Sequence, residues 1–243
     1  VSQDNRVRAP LGLLWFGGSS NKSILPRHGH GPTEQVIGGR LFIEGPDLIR
    51  AVDVYTGRVL WEARLPGVGK DFNFTGHQPG ANATGSNYAS VEDGVYVAYR
   101  SRCVRLDPVT GSVVSEFSLP PLPGGGRPKW GYIGVWQDLL IAGADPLVYE
   151  KKRVGGKTHD GTTSRFLVVM NRHNGRVLWS REARYGFRHN AIVLGNGKLY
   201  TIDRLPETII ALMARRGRKP TGRPQLLALD ARSGREVWST TRD

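Results

Sequence analysis

The sequence predicts an all-β fold built from a repeated strand–turn–strand unit. Residues 51–61 and 228–238 both fit the pattern A-x-D-x-x-x-G-x-x-x-W, and residues 105–115 and 169–179 are partial copies in the same register. Short apolar segments flank each copy, and the 32 glycines of the 243-residue chain suit a fold with many turns. One Asp-x-x-x-Gly segment is a common hairpin turn, but four copies in register indicate a repeat protein.

Each shared position of the unit has a physical role. Glycine suits a turn residue with positive φ, and the preceding Asp or Asn can accept hydrogen bonds from N–H groups of the turn. Tryptophan is too large for an isolated hairpin to bury, so we expect it to pack on a neighbouring unit, with Ala leaving room for the ring. The residues expected to have these structural roles are Ala51, Asp53, Gly57, Trp61, Asp107, Gly111, Asn171, Gly175, Trp179, Ala228, Asp230, Gly234 and Trp238.

The second copy departs from the pattern at two positions together. It has Arg105 where the complete copies have Ala and Ser115 where they have Trp. Losing only one partner would leave a cavity or a clash, so the joint loss supports the pairing of these positions. We therefore expect the tryptophans of the other three copies to be buried between adjacent units, and Ser115 to occupy the same site without a ring.

Taken in order, the chain divides into one extra strand and four antiparallel units. A polar arm, residues 1–8, precedes an apolar strand within residues 10–17. The four units are assigned to residues 31–66, 86–119, 130–183 and 187–241. In each unit, two strands joined by a short turn precede the strand–turn–strand repeat. The strands of the third unit are expected at residues 132–136, 139–142, 166–171 and 177–180.

The units are longer than a compact four-stranded repeat because of insertions. Successive turn glycines lie 54 to 64 residues apart, whereas a minimal repeat of this size needs about 40–45 residues. The excess is expected in loops at residues 71–85, 120–129, 151–163 and 206–224, with about two helical turns at residues 207–216. Because neighbouring strands alternate in direction, the insertions share one face and the Asp-x-x-x-Gly turns line the opposite face.

This arrangement resembles the tryptophan-docking repeat of quinoprotein-type β-propellers. That family includes the pyrroloquinoline quinone (PQQ) dehydrogenases and the propeller lipoprotein of outer-membrane β-barrel assembly. The resemblance rests on the repeat pattern above and covers residues 10–243. It implies a partial β-propeller, with about four blades of four antiparallel strands and the remaining blades supplied by the parent chain. It also implies an extracytoplasmic location, in the periplasm or the cell envelope.

The ends and the hydropathy of the chain carry two further expectations. The sequence begins at Val1 without Met or a signal peptide, so we expect a processed chain or a part of a longer one. No apolar run reaches 18 residues, so no transmembrane segment is expected. Four repeats of this class are expected to form an open arc, with apolar blade faces exposed at its ends.

The resemblance leaves an enzyme and a binding module open as functions. A PQQ dehydrogenase would stack its quinone on a tryptophan and hold Ca²⁺ with carboxylate and amide oxygens, and Trp130 is the candidate for stacking. Against this, Cys103 is the single cysteine, whereas many of those enzymes carry adjacent cysteines. No Glu, Asn and Asp set aligns with their calcium ligands, and the scattered histidines show no ligand spacing. The sequence therefore favours a non-catalytic scaffold, with no confident cofactor and no metal site, and keeps PQQ with Ca²⁺ as the alternative.

The net charge of +13 indicates an anionic partner as a third function. Basic residues concentrate in the insertions of the third and fourth units, on the face expected to carry the long loops. The candidate anion- or partner-binding residues are Lys151, Lys152, Arg153, Lys157, Arg188, His189, Arg215, Arg216, Arg218, Lys219 and Arg223. A protein partner or an acidic surface is expected, nucleic acid is not, and a polyanion-binding propeller remains a further alternative.

Overall fold

The fold is a series of antiparallel β-sheets in a computed structural model that describes residues 17–26, 31–73, 80–151, 156–219 and 222–241. Blade one contains β1 (Gln35–Ile37), β2 (Arg40–Gly45), β3 (Leu48–Asp53) and β4 (Val59–Arg64). Each strand pairs with the next in chain order. The predicted all-β blade architecture is confirmed, whereas the extra strand predicted within residues 10–17 lies outside the described residues apart from Gly17.

Blade two repeats this meander after a loop segment. A short helix, α1 (Ala81–Thr84), leads into β5 (Tyr88–Val91), β6 (Gly94–Tyr99), β7 (Arg102–Leu106) and β8 (Val113–Ser118). Every residue of β6 is buried, because apolar side chains on its two faces meet neighbouring blades on either side. Tyr96 lies in a cluster shared with blade three, and Val97 lies in a cluster shared with blade one.

Blades three and four are continuous with one another. Blade three contains β9 (Trp130–Trp136), β10 (Leu139–Lys151), β11 (Gly156–Asn171) and β12 (Val177–Arg188). Blade four contains β13 (Val193–Gly195), β14 (Lys198–Asp203), β15 (Gln225–Asp230) and β16 (Glu236–Thr241), with α2 (Glu207–Arg215) between β14 and β15. The helix expected at residues 207–216 is therefore confirmed.

The seam between these two blades contains a backbone pair and a carboxylate. Phe187 of β12 pairs with Asp203 of β14, which joins the strands of both blades into one sheet. The Asp203 carboxylate also accepts hydrogen bonds from the backbone N–H groups of Arg184, Tyr185 and Gly186, at 2.6 to 2.9 Å. Four separate blade sheets were expected, so this fusion is a difference from the sequence-based assignment.

The expected loop at residues 151–163 is also wrong. β10 and β11 continue beyond the blade as a long hairpin, with Glu150 opposite Lys157 and Lys151 opposite Gly156. A register shift between Pro146 and Val148 separates this hairpin from the regular part of the blade. Its lysines and glycines resemble a loop in composition, but pairing with a neighbouring strand overrides that weak local preference.

The four repeat turns share one hydrogen-bonding pattern. Oδ1 of Asp53 accepts hydrogen bonds from the N–H groups of Tyr55 and Thr56, at 3.0 and 2.8 Å. Asp107, Asn171 and Asp230 accept the equivalent pairs of bonds in the other three blades. The turn glycines all have φ between 70° and 75°. This region of backbone conformation is strained for residues that carry a Cβ, which explains glycine at this position.

Docking of Trp61 and Trp179 on the following blade connects the sheets. The Trp61 ring is 9% exposed, donates a hydrogen bond from Nε1 to the Pro108 carbonyl at 3.1 Å, and covers Gly111. The Trp179 ring makes the same contacts two seams later, between blades three and four, with the Ala231 carbonyl at 3.0 Å and with Gly234. Trp179 is half-buried there, which is less burial than the sequence predicts. Each tryptophan therefore makes two contacts with the next blade: a hydrogen bond to the carbonyl one residue after the Asp, and packing against a glycine that has no side chain.

Blade two makes its seam with a different ring. Ser115 lies opposite Arg105, in the register of the other Ala–Trp pairs, and contributes no ring. Two residues further along β8, Phe117 is buried and lies against Gly175 of blade three. Residues two apart on a strand share a face, so Phe117 reaches the socket that a tryptophan would fill. The docking ring of blade two therefore lies two residues further along the fourth strand than in the other blades, and this seam still contains an aromatic ring.

The expected burial of Trp238 is wrong. Trp238 is 42% exposed, and all six residues of β16 are exposed. Within the described residues, β16 pairs only with β15 and β1 pairs only with β2. Trp238 occupies the docking position of blade four, but the described chain places no fifth blade against it. The described blades thus form an open series with an exposed aromatic ring at one end.

Ion pairs on the turn-lined face reinforce two of the seams. Arg172 of blade three lies 2.6 Å from Asp93 of blade two, and Arg232 of blade four lies 2.6 Å from Asp138 of blade three. The Arg232 hydrogen bond holds the pKa of Asp138 below its usual value. Partial burial would raise the pKa of Asp93, but the hydrogen bond and charge of Arg172 outweigh that effect and lower it.

A buried carboxyl group lies in blade one at the end of β2, away from the turn-lined face. Glu44 is buried at the end of β2, and neither carboxylate oxygen accepts a hydrogen bond from the residues that the structure describes. Burial raises the pKa of Glu44 to about 8, an effect that the Asn87 side chain opposes and the Asp71 charge increases. Glu44 is therefore mostly protonated at neutral pH in the folded protein.

This pKa makes the stability of the protein depend on pH in a defined window. The folded state holds a proton on Glu44 up to about pH 8, whereas the unfolded chain releases it near pH 4.5, the ordinary pKa of a glutamate side chain. Stability should therefore fall as pH rises through this window, since the folded state binds more protons there. We expect Glu44→Gln to lose this dependence, as measured by urea unfolding at pH 5.5 and 8.5. Glu92→Gln, which changes an exposed carboxylate, is the control; parallel curves for the parent and Glu44→Gln would contradict the assignment.

Candidate functional site

The long insertions meet on one face of the blade series, which we call the loop face. α1 contacts β11 and the 3₁₀ turn His189–Ala191, so the entry to blade two lies against blades three and four. The β10–β11 hairpin and α2 both leave the blades between the second and third strands. The loop face is therefore a composite surface of several blades on a rigid scaffold, which is where binding sites usually lie.

A buried polar cluster holds the loop face together. Oγ of Ser164 lies 2.7 Å from Nε2 of His189, and Nδ1 of His189 lies 2.7 Å from the Thr84 carbonyl oxygen. His189 is only 1% exposed, and Ser164 is fully buried. The Tyr132 ring, 6.0 Å from the imidazole, covers it on a third side. A serine and histidine in this state are hydrogen-bonded to one another and sealed from solvent, so they connect α1, β11 and the 3₁₀ turn.

Gly131 and Gly143 make room for this cluster. A Cβ at Gly131 would lie 2.5 Å from the Ser164 Oγ and 2.9 Å from the His189 ring, and a Cβ at Gly143 would lie 2.7 Å from Oγ. Sequence reasoning placed His189 among exposed anion-binding residues and missed Ser164. Ser164 and His189 are 25 residues apart in sequence. Only the crossing from β11 through β12 brings them together, so no local signal predicts the pair.

Trp130, the candidate for stacking a quinone, lies in the core. Its ring is 8% exposed and belongs to the cluster formed by Tyr96 and Phe117 of blade two with Leu140 and Met170 of blade three. Its backbone N–H donates to the Arg100 carbonyl at 3.0 Å, which fixes the start of β9. Nε1 is buried without a hydrogen-bond partner in the described chain. This ring would have to leave the core to stack on a planar ligand.

Apart from His189 and Arg223, the predicted basic residues separate into four groups. Lys152 and Arg153 lie outside the described residues. Lys151 and Lys157 belong to the last paired positions of the β10–β11 hairpin. Arg188 is half-buried at the end of β12, opposite Thr163. Four residues at and beyond the C-terminus of α2 are exposed together: Arg215, Arg216, Arg218 and Lys219. Most of the exposed residues among these described candidates therefore lie around α2.

Arg223 belongs to a different surface. It borders a cleft of about 300 Å³ between blades three and four, together with Arg184, Tyr185 and Gln225. Asp203 also lines this cleft, and its carboxylate accepts hydrogen bonds from the three backbone N–H groups described above. The cleft therefore combines two guanidinium groups with a carboxylate that is already engaged.

The structure adds two findings on metals and membranes. Among the described residues, no three His, Cys, Asp or Glu side chains are arranged to hold a metal ion. None of the helices in the described ranges is long and apolar enough to span a bilayer.

Four-stranded antiparallel blades, joined by aromatic rings that dock on the next blade, define a segment of a PQQ-like β-propeller. Residues 12–192 match the family described as outer membrane protein assembly factor BamB, and the chain belongs to this family. No curated protein matches the chain in sequence.

Two solved structures with TM-scores above 0.5 share the fold. The quinohemoprotein alcohol dehydrogenase from Comamonas testosteroni is 14% identical with a TM-score of 0.56, over 90% of this chain and 35% of that one. A quinohemoprotein alcohol dehydrogenase from Pseudomonas putida HK5 is also 14% identical, with a TM-score of 0.54, over 94% and 36% of the two chains. BamB from Moraxella catarrhalis is 12% identical with a TM-score of 0.47, over 85% and 50%. The chain therefore spans half or less of the length of these structures.

Proposed function

We propose that this chain is a non-catalytic scaffold and binding module, and that it acts as part of a larger extracytoplasmic propeller with a protein partner. The observation that carries the proposal is the exposed face of blade four. Trp61, Phe117 and Trp179 each lie against a glycine of the next blade, and Trp238 occupies the next docking position in the series. The face around it fits one more blade of the same kind, which the parent chain would supply.

The contacts at the internal seams specify what that fifth blade must offer. It needs a turn with glycine at positive φ and a free carbonyl one residue after the Asp, because Trp61 and Trp179 both use this pair of features. A side chain in place of the glycine would collide with the ring. We also propose that the four blades have the boundaries assigned from the sequence, so that blade four comprises residues 187–241.

This assembly role can be tested by adding a blade. A second copy of residues 187–241, appended after residue 243, carries its own Asp-x-x-x-Gly turn. We expect the original β16 to gain protection from hydrogen exchange and Trp238 to become less accessible to acrylamide, because the ring gains a socket. The same extension with the added glycine replaced by Val is the matched control. Unchanged exchange in β16 of the glycine version would contradict the proposal.

A segment of a PQQ dehydrogenase is the second candidate, favoured by the shared fold of the alcohol dehydrogenases. The position of Trp130 counts against it, because the ring packs between blades two and three and presents no face to a quinone. Equilibrium dialysis with PQQ in the presence and absence of Ca²⁺ separates the candidates. The scaffold proposal expects no saturable binding, and stoichiometric Ca²⁺-dependent binding of PQQ would overturn it in favour of the dehydrogenase.

A further inference from the structure

We propose that α2 and the basic segment after it form a docking element for an anionic lipid bilayer surface. The first observation is that this helix is only partly packed against the rest of the chain. α2 begins after the buried residue Pro206, and no described side chain of the helix is itself buried. A helix of nine residues is marginally stable in water by itself. Its partly exposed apolar residues therefore remain available for a further contact.

The apolar residues of α2 lie along one side of the helix. Ile209, Leu212 and Met213 have the i, i+3, i+4 spacing that places them on a common face, and Ile210 lies beside them. Leu212 is 39% exposed, and the other three are half-buried. The uncharged residues run from 208 to 214, with Glu207 before them and Arg215 after them. This is the pattern of a helix that lies in a water–lipid interface.

The end of the helix presents the basic residues as a group. Gly217 has a φ of 65°, and its N–H donates a hydrogen bond to the Ala214 carbonyl. The Arg218 N–H donates to the Met213 carbonyl, so the helix ends in a tight turn. Arg215, Arg216, Arg218 and Lys219 are therefore held within one compact exposed segment. Within the described part of the chain, none of these four forms an ion pair. The nearest acid of the helix, Glu207, lies 3.6 Å from Arg204 instead.

The apolar side of α2 and the basic segment at its end together favour a lipid surface over a soluble polyanion. Basic residues alone would serve either partner, because both offer phosphate or carboxylate groups. The partly exposed apolar side of α2 would gain little from a highly hydrated polyanion, but it would enter the boundary between headgroups and acyl chains. This inference uses a different surface from the blade-four face, so its outcome is independent of the assembly role proposed above.

The experiment compares matched variants of the full chain by sedimentation with vesicles. One set of vesicles contains phosphatidylcholine and phosphatidylglycerol in equal parts, and the other contains phosphatidylcholine alone. The charge variant is Arg215→Ser with Arg216→Ser, and its control is Arg127→Ser with Lys129→Ser, another exposed basic pair. The apolar variant is Leu212→Ser, and its control is Val114→Ser, another exposed aliphatic residue. All six positions are exposed, so each variant should retain the parent's circular dichroism and melting temperature.

The expected result is tighter binding of the parent to the anionic vesicles than to the neutral ones. The charge variant should bind the anionic vesicles about thirtyfold more weakly, since it lacks two basic residues and each one near such a surface adds to the attraction. Leu212→Ser should also weaken binding, and both controls should bind as the parent does. Heparin serves as the soluble polyanion probe, and Leu212→Ser should leave heparin binding unchanged.

Three results would overturn the proposal. The first is a parent that does not distinguish the two vesicle types. The second is loss of vesicle binding in the charge variant with none in Leu212→Ser, which would identify a polyanion site. The third is an equal loss in the Arg127 and Lys129 control, which would show that the overall positive charge, and not α2, carries the attraction.

Discussion

Replacing Trp61 by Ala should destabilise the protein by about 3–5 kcal/mol. The ring is buried between blades one and two, lies 5.9 Å from Phe42, and covers Gly111. Removing it leaves a cavity at the seam and leaves the Pro108 carbonyl without its hydrogen bond. Urea unfolding followed by far-ultraviolet circular dichroism measures the loss.

Trp238 provides the matched control, because it is the same residue at the same repeat position. Its ring is 42% exposed and contacts Tyr200 of its own blade, at 6.1 Å between ring centroids. Trp238→Ala should therefore cost about 1 kcal/mol or less. Equal losses for the two variants would mean that the tryptophans stabilise their own hairpins and not the seams between blades.

Replacing Gly111 by Ala should be the second large effect. A Cβ at this position would lie 2.5 Å from Cε3 of Trp61, and the backbone φ is +75°. The variant therefore combines the cost of a left-handed conformation, about 1–2 kcal/mol, with displacement of a buried ring, about 1–3 kcal/mol. We expect a total of about 2–5 kcal/mol in urea unfolding, together with a red shift of the tryptophan fluorescence.

Gly197 separates these two contributions. Its φ is +73°, nearly the same as that of Gly111, but a Cβ there would meet no atom within 4 Å. Gly197→Ala should therefore show the conformational cost alone and leave the fluorescence of Trp61 unchanged. If Gly111→Ala cost no more than Gly197→Ala, the docking geometry of the first seam would be wrong.

The repeat pattern predicted the regular part of the fold because its residues act locally. Asp53 and Gly57 belong to the same turn, and Ala51 lies directly opposite Trp61, so eleven residues contain the whole hairpin. Phe117 escaped this reasoning, since it replaces the missing ring from a position two residues beyond the pattern. The exposure of Trp238 escaped it as well, because burial of a docking ring depends on the blade that follows and not on its own hairpin.

The loop face was predictable in composition but not in geometry. Charge and helical spacing predicted α2 and its basic end, which are properties of consecutive residues. The Ser164–His189 contact and the three N–H groups around Asp203 depend on chain crossings, and such contacts have no sequence signature. His189 looked available for binding in the sequence because histidine is common in exposed loops, yet the crossing of α1 over blade three buries it.

The direction of docking also sets an order for folding during synthesis. Trp61 is complete in the nascent chain 47 residues before the Pro108 carbonyl that receives it, and Trp179 precedes its acceptor Ala231 by 52 residues. Every blade therefore emerges with its ring unprotected and is consolidated only when the next turn has been made. Because chains of this kind fold from the N-terminus as they are made, consolidation should trail elongation by one blade. A pause in translation within a blade would then leave one aromatic ring exposed for the length of the pause. The sequence distance between each ring and its socket therefore sets how long that ring stays exposed during synthesis.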